Sequence, residues 1–177
     1  MNIKIMEPLS DHLIAGTYPF GSYTYERTND QSDYDFLNLV KFDCGEVVLQ
    51  YKNSLVDMLY TGTDNFFYDL ERGASQVNFE VLHTENFQQD FNIDPLKYYT
   101  DTMAKAYVGF ARRDLKYPDR VFHINRCIYI AEKIIKKELL NLKEIGKMEI
   151  ENDMVKLRNK VMDLRRKLRS NNDNKTL

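Results

Sequence analysis

Asp33 and Asp35 flank a tyrosine at the entry to an apolar run, DYDFLNLVKF. In an extended chain residues two apart face the same way, so both carboxylates project from one side while Tyr34 and Phe36 take the other. Side-by-side carboxylates repel, and such a pair is tolerated on a solvated face or where a divalent cation neutralises it. Mg2+ typically takes one or two carboxylates together with phosphate oxygens. A third acid, Asp57, lies inside the apolar run SLVDMLYT, where a carboxylate is costly unless it is paired, hydrogen-bonded or coordinating. If the strand carrying Asp57 lies beside the one carrying Asp33 and Asp35, the three acids converge on a site for two cations of the kind that drives phosphoryl transfer. Upstream, Gly21-Ser22 follows a strand candidate. There glycine lets the backbone come close, and N–H groups and a small hydroxyl can hold phosphate oxygens. Taken singly, an Asp-x-Asp is most often a solvated edge and a Gly-Ser pair an ordinary turn; the combination is what points to chemistry.

The elements that must position these residues follow from pattern. A short strand ends near Phe20, and DYDFLNLVKF and EVVLQYK read as a β-hairpin about Asp43-Cys44-Gly45, because glycine tolerates positive φ. SLVDMLYT is a third strand. Thr61-Gly62-Thr63-Asp64 offers an N-cap for a helix over NFFYDLERG, closed by Gly73. VNFEVLHT, which holds Glu80, reads as a further short strand or extended segment, and Asp94-Pro95 marks a boundary. Beyond it the chain is helical: YYTDTMAKAYVGFARRDL, then VFHINRCIYIAEKIIKKELLNL after a break at Pro118, then a last helix. That helix carries Met154, Leu157, Val161, Leu164 and Leu168 as an apolar seam, and at about two heptads it is suited to packing on its own domain rather than to a coiled-coil dimer. The expectation is an α+β domain: a core over 1–95, a helical region over 96–170 packed on it, and a flexible tail over 171–177.

Composition narrows the classes. The 177 residues carry a formal net charge of -2, which gives no whole-protein basic signature for nucleic acid, so any such surface must be local. Two cysteines, Cys44 and Cys127, far apart and without a CxxC spacing, suggest neither a zinc site nor a disulfide framework. With no signal-peptide pattern and no apolar run long enough to span a bilayer, the expected location is the cytoplasm, with no membrane partner. Positive charge to balance a phosphate ligand is available from Arg112, Arg113, Lys116 and Arg126, although helical spacing cannot put all four on one face. The basic last helix, from Lys156 to Arg169, could steer an RNA; a solvated outer face is the plainer reading. His123, beside an apolar helix face, reads as a packed residue, and the many aromatic residues as core.

The residues Gly21, Ser22, Tyr25, Ser32, Asp33, Tyr34 and Asp35 together resemble the Gly-Ser to Asp-x-Asp signature of nucleotidyltransferases of the DNA polymerase β superfamily. The likeness is greatest to the predicted nucleotidyltransferase family linked to RNA repair in bacteria and phages, which shows Gly-Ser-x-x-Tyr-Gly before Ser-Asp-Tyr-Asp. Glu26 stands where that family carries glycine. DLERGASQVNFEVLHT, AYVGFARRDL, HINRCIYIAEKIIKKELL and LKEIGKMEIENDMVKLRNKVMDL are similar to its later segments, so the likeness covers most of the chain, while only the first segment is specific.

What the resemblance implies is a mixed sheet flanked by helices, the DNA polymerase β-like nucleotidyltransferase fold, with a helical C-terminal half. It implies Mg2+ or Mn2+ held by Asp33 and Asp35, with Asp57 completing the second cation position and helping to deprotonate an acceptor hydroxyl. Glu80 is the alternative third ligand, and Asp57 is preferred. Gly21 and Ser22 would hold phosphates of a nucleoside triphosphate, ATP being the expected one, and Arg112 and Arg126, which fall in matching stretches, would add positive charge. The acceptor would be RNA or protein, and the chain a monomer or a homodimer through its last helix. Two alternatives stand beside the transferase: a degenerate member that binds a nucleotide or partner without turnover, and an antitoxin-like protein that modifies or masks a partner protein.

Overall fold

Five strands form one mixed sheet in the order β1-β4-β5-β3-β2, where β1 is Asn2–Lys4, β2 Ile14–Phe20, β3 Tyr34–Val40, β4 Val48–Lys52 and β5 Val56–Gly62. The computed structural model describes residues 2–28 and 32–173. β3 and β5 run parallel, β2 and β4 pair antiparallel to their neighbours β3 and β5, and β1 lies parallel to β4 at one edge. The architecture is α+β, with helices α1 (Thr63–Arg72), α2 (Gln76–Leu82), α3 (Glu85–Phe91), α4 (Asp101–Asp114), α5 (Val121–Lys136), α6 (Leu142–Lys147) and α7 (Met154–Asp173). Among the described residues no helix is long and apolar enough to cross a membrane.

Two expectations are corrected here. β3 and β4 do not form a hairpin: the Asp43–Gly45 turn exists, with Gly45 N–H donating to Asp43 Oδ1 at 2.7 Å and φ at 56°, but the strands it joins are not neighbours. The hairpin is β4–β5. Asn53 closes it, its Oδ1 accepting from the N–H groups of Leu55 and Val56, both at 2.8 Å. An Asx turn three residues from the next strand wins the antiparallel pairing, and β3 is left to pair with β5 in parallel. The second correction is VNFEVLHT, which is helix α2 and not a strand. Ser75 caps it by accepting from Asn78 N–H, and Asn78, Phe79, Glu80, Val81 and Leu82 are all buried. A short segment buried all round has no alternation to separate helix from strand.

The chain falls into two compact units: 1–70 with 75–94 and 142–146, and 71–74 with 95–141 and 147–177. In the first, Tyr18, Phe66, Phe67, Phe87 and Phe91 form a ring cluster with centroids 4.6–6.5 Å apart. Its edge-on and stacked contacts add to area burial. Most of α6 belongs to this unit although it lies in the stretch expected to be wholly in the helical region. Lys143 pairs with Glu26 at 3.0 Å, and Gly146 sits where any side chain would strike the carbonyl of Tyr25. In the second unit, α7 turns Leu157, Val161, Leu164 and Leu168 onto α4 and α5. Thr100 caps α4 by accepting from Met103 N–H, and Asp153 does the same for Val155 N–H at the start of α7. α7 continues through Asp173, so the tail expected from 171 begins inside a helix; 174–177 lie outside the described residues.

Candidate metal and phosphate site

Parallel pairing of β3 with β5 puts Asp35 opposite Asp57, and the β4–β5 hairpin puts Lys52 opposite Asp57 from the other side. One oxygen from each of Asp33, Asp35 and Asp57 lies within 4.8 Å of the others. Lys52 Nζ bridges two of them, 3.0 Å from Asp33 Oδ2 and 2.8 Å from Asp57 Oδ2. Gln50, two residues before Lys52 and therefore on the same face of β4, donates from Nε2 to both Asp57 oxygens at 2.9 and 3.2 Å. Lys52 and Gln50 were not foreseen, because the wrong hairpin hid that β4 lies against Asp57.

The electrostatics follow from crowding. Burial, then the charges of Asp33 and Asp57, push the Asp35 carboxyl up to about 6; Lys52 opposes this and Glu80 adds to it. The Lys52 hydrogen bond holds Asp33 below the usual carboxylate range, and hydrogen bonds to Asp57 and then to Asp33 raise Lys52. Glu80 is 3% exposed on α2 and acts on Asp35 through its field, but its oxygens are not among those within 4.8 Å of one another. The donor set is wholly carboxylate, which suits a hard cation such as Mg2+ or Mn2+, and an ammonium already places positive charge among the three acids.

The Gly-Ser turn lies against this cluster. Phe20 pairs with Asp35, and Gly21-Ser22-Tyr23 follow as one 3-10 turn. Gly21 has φ of 73°, and a Cβ there would stand 2.4 Å from Asp35 Oδ2. Only glycine meets both demands, a left-handed backbone and contact with a carboxylate. Beyond the turn, Tyr23 stacks on Tyr34 with centroids 4.2 Å apart. Glu26 holds a left-handed φ of 55°, uncommon for a residue other than glycine.

The remaining candidates belong to the second unit. Arg112 is on the exposed side of α4. Arg126 Nη2 donates to His123 Nδ1 at 2.8 Å, so the opposite nitrogen, Nε2, carries the proton and faces Asp114 Oδ2 at 3.2 Å. Burial and then the Arg126 charge push His123 down to about 4, so it is neutral at pH 7. Asp114, 1% exposed, is also held by Arg113 at 2.8 Å and Arg120 at 3.6 Å. Cys127 Sγ lies 3.5 Å from the same Nε2; with Asp114 and Cys127 on one nitrogen and the thiol fully buried, the trio is no nucleophile relay.

Size does not pick out the site. A cavity of about 650 Å3 in the first unit is bordered by Val40, Asp43, Gly62 and Asp64. Val40 and Gly62 end β3 and β5, whereas Asp35 and Asp57 are near their beginnings. No protein family, curated protein or solved structure matches this chain.

Proposed function

We propose that the protein is a metal-dependent nucleotidyltransferase of the DNA polymerase β superfamily, moving a nucleoside monophosphate from a nucleoside triphosphate to a hydroxyl acceptor with release of pyrophosphate. The observation that carries the reading is the convergence of Asp33, Asp35 and Asp57 against the Gly21-Ser22 turn. Neither feature alone means much, but an acid cluster lying directly against a glycine turn offers both carboxylates for a cation and backbone N–H groups for phosphate. Glu26 adds support: at the position where the resembling family has glycine, it keeps the backbone conformation that glycine favours.

Asp33, Asp35 and Asp57 would hold the cation, with Ser22 offering its hydroxyl and N–H to triphosphate oxygens. When bound, a divalent cation there supplies charge neutralisation and polarises the phosphate oxygens. The acceptor oxygen forms its bond to the α-phosphorus as the bond to pyrophosphate breaks, and Asp57 takes the hydroxyl proton. Neither Arg112 nor Arg126 has a role in this step. Lys52, seated on the carboxylates, favours one second reading, a protein that binds nucleotide without turning it over.

Incubation with labelled nucleoside triphosphates, Mn2+ or Mg2+, and pools of RNA or protein separates the two. The expected result is a labelled acceptor, lost in Asp35→Asn with the circular dichroism spectrum unchanged. Nucleotide-dependent thermal stabilisation without transfer supports the binder, and neither response rejects both readings.

A further inference from the structure

α4 and α7 present cations at matching intervals. Lys105 and Arg112 stand at i and i+7 of α4 with Lys116 in the turn just past its end, and Arg158, Arg165 and Arg169 stand at i, i+7 and i+11 of α7. Within each helix these positions lie on one face. The two sets line a pair of hollows of about 260 and 280 Å3 that share Arg112. Lys105 meets Arg165 and Arg169 in the first hollow and Lys116 meets Arg158 in the second, so the helices run antiparallel and the track is about 16 Å long. No described carboxylate lines either hollow, and none of these six cations is in an ion pair among the described residues. Arg113, at the rim, is already held by Asp114. Arg165 feels Arg169 and Arg112 strongly enough to lose affinity for its own proton.

Like charges gathered without counter-charge cost stability unless a ligand supplies it. The i+4 positions speak for an open channel too. On α7 it is Met162, and on α4 it is Gly109, an exposed glycine in mid-helix where a Cβ would meet nothing within 4 Å. Packing does not demand glycine there, and glycine is a poorer helix former than alanine. Its absence of a side chain leaves the floor of the first hollow low.

We infer that the α4–α7 groove is a binding track for the sugar-phosphate backbone of a single nucleic-acid strand. A linear row of cations matches a linear row of phosphates, guanidinium groups grip phosphate bidentately, and a concave groove suits a single strand rather than a duplex. Use of that strand as the acceptor rests on the transferase reading; its binding does not.

The test is fluorescence anisotropy of labelled single-stranded RNA and DNA oligonucleotides with the full chain, without nucleotide or divalent metal, so that failure of transfer chemistry leaves the readout untouched. Binding is expected for both, with log K falling against log salt at a slope of about -3 for about four phosphates engaged. Arg112→Gln with Arg165→Gln should weaken binding at least tenfold and flatten the slope by about 1.4. Lys160→Gln with Lys167→Gln, an equal loss of charge on the opposite face of α7, should change it less than threefold. Absence of binding, equal loss in both double variants, or competition by polyglutamate as effective as that by an oligonucleotide of equal charge would overturn the inference.

Discussion

Three carboxylates at or just before the start of β3 and β5 are answered by one lysine ammonium, whereas six cations along α4, the turn that follows it and α7 meet no carboxylate among the described residues. Both clusters gather like charge, and they relieve it differently. The acids are tied to rigid strand positions, pressed on one side by Gly21, and one of them responds by holding its proton up to about pH 6. The cations sit at the ends of long, flexible side chains. A site that must place ions to within tenths of an ångström belongs on strands, and a track that needs only matched charge can be laid on helix faces.

The sharpest way to break this comparison is to remove one acid of the cluster and one acid beside it. Asp57→Asn takes a donor from the triad, and transfer should fall on the order of 10^3-fold, equivalent to about 4 kcal/mol of lost transition-state stabilisation. Glu80→Gln leaves the three clustered acids in place and removes a charge that acts on Asp35 from α2, so transfer should stay within about tenfold of wild type. Steady-state transfer rates on one acceptor decide this. A reversed order would make Glu80 the third ligand and remove Asp57 from the chemistry.

That Asp57 needs a partner can be argued from the chain, and that Lys52 is one of its partners cannot. An acid within SLVDMLYT demands a partner whatever the topology. The identity of that partner depends on which strand lies alongside, and two turns competed for the hairpin. Asp-x-Gly carries the stronger local signal, yet the pairing went to the turn at Asn53, whose side chain caps two backbone N–H groups. Glu80 shows the same limit: apolar neighbours on both sides hide the period, and only the Ser75 cap three residues before Asn78 hinted at a helix. The α7 seam was legible because Leu157, Val161, Leu164 and Leu168 repeat over more than two turns. The groove was half legible, since the basic helix is plain in the chain while its alignment with α4 needs the packing.

Lys52 sharpens the comparison next. Its ammonium bonds Asp33 and Asp57, two of the three acids that would hold a cation, so the two would compete for them. Lys52→Met keeps the length of the side chain without the charge, and Mn2+ should bind about tenfold tighter, a gain of about 1.4 kcal/mol. Because the lysine is half exposed, its loss should cost little stability in the absence of metal. Calorimetric titration of both proteins with Mn2+ reads the difference, and unchanged or weaker binding would mean that the ammonium cooperates with the cation instead of standing in for it.

The smallest effect separates the clusters by pH. Asp35 titrates near 6 in the folded chain and near 4 when unfolded, so the folded state binds more protons between those values. Metal-free stability from this group therefore rises as pH falls from 6 towards 4 and is lowest above 6, where the ionised carboxylate faces Asp33 and Asp57. Asp33 works in the opposite sense: its folded value is depressed, so the stability it contributes is lost only at still lower pH. Asp35→Asn carries no charge at any pH. It should be more stable than wild type by about 1 kcal/mol at pH 8, a figure reduced for the solvent screening of a half-exposed side chain, with the advantage vanishing near pH 4. Melting temperatures across that range, in chelator, measure it. Arg165→Gln removes a charge that faces Arg169 and Arg112, so its stability should respond to salt, falling into line with wild type as ions screen the groove.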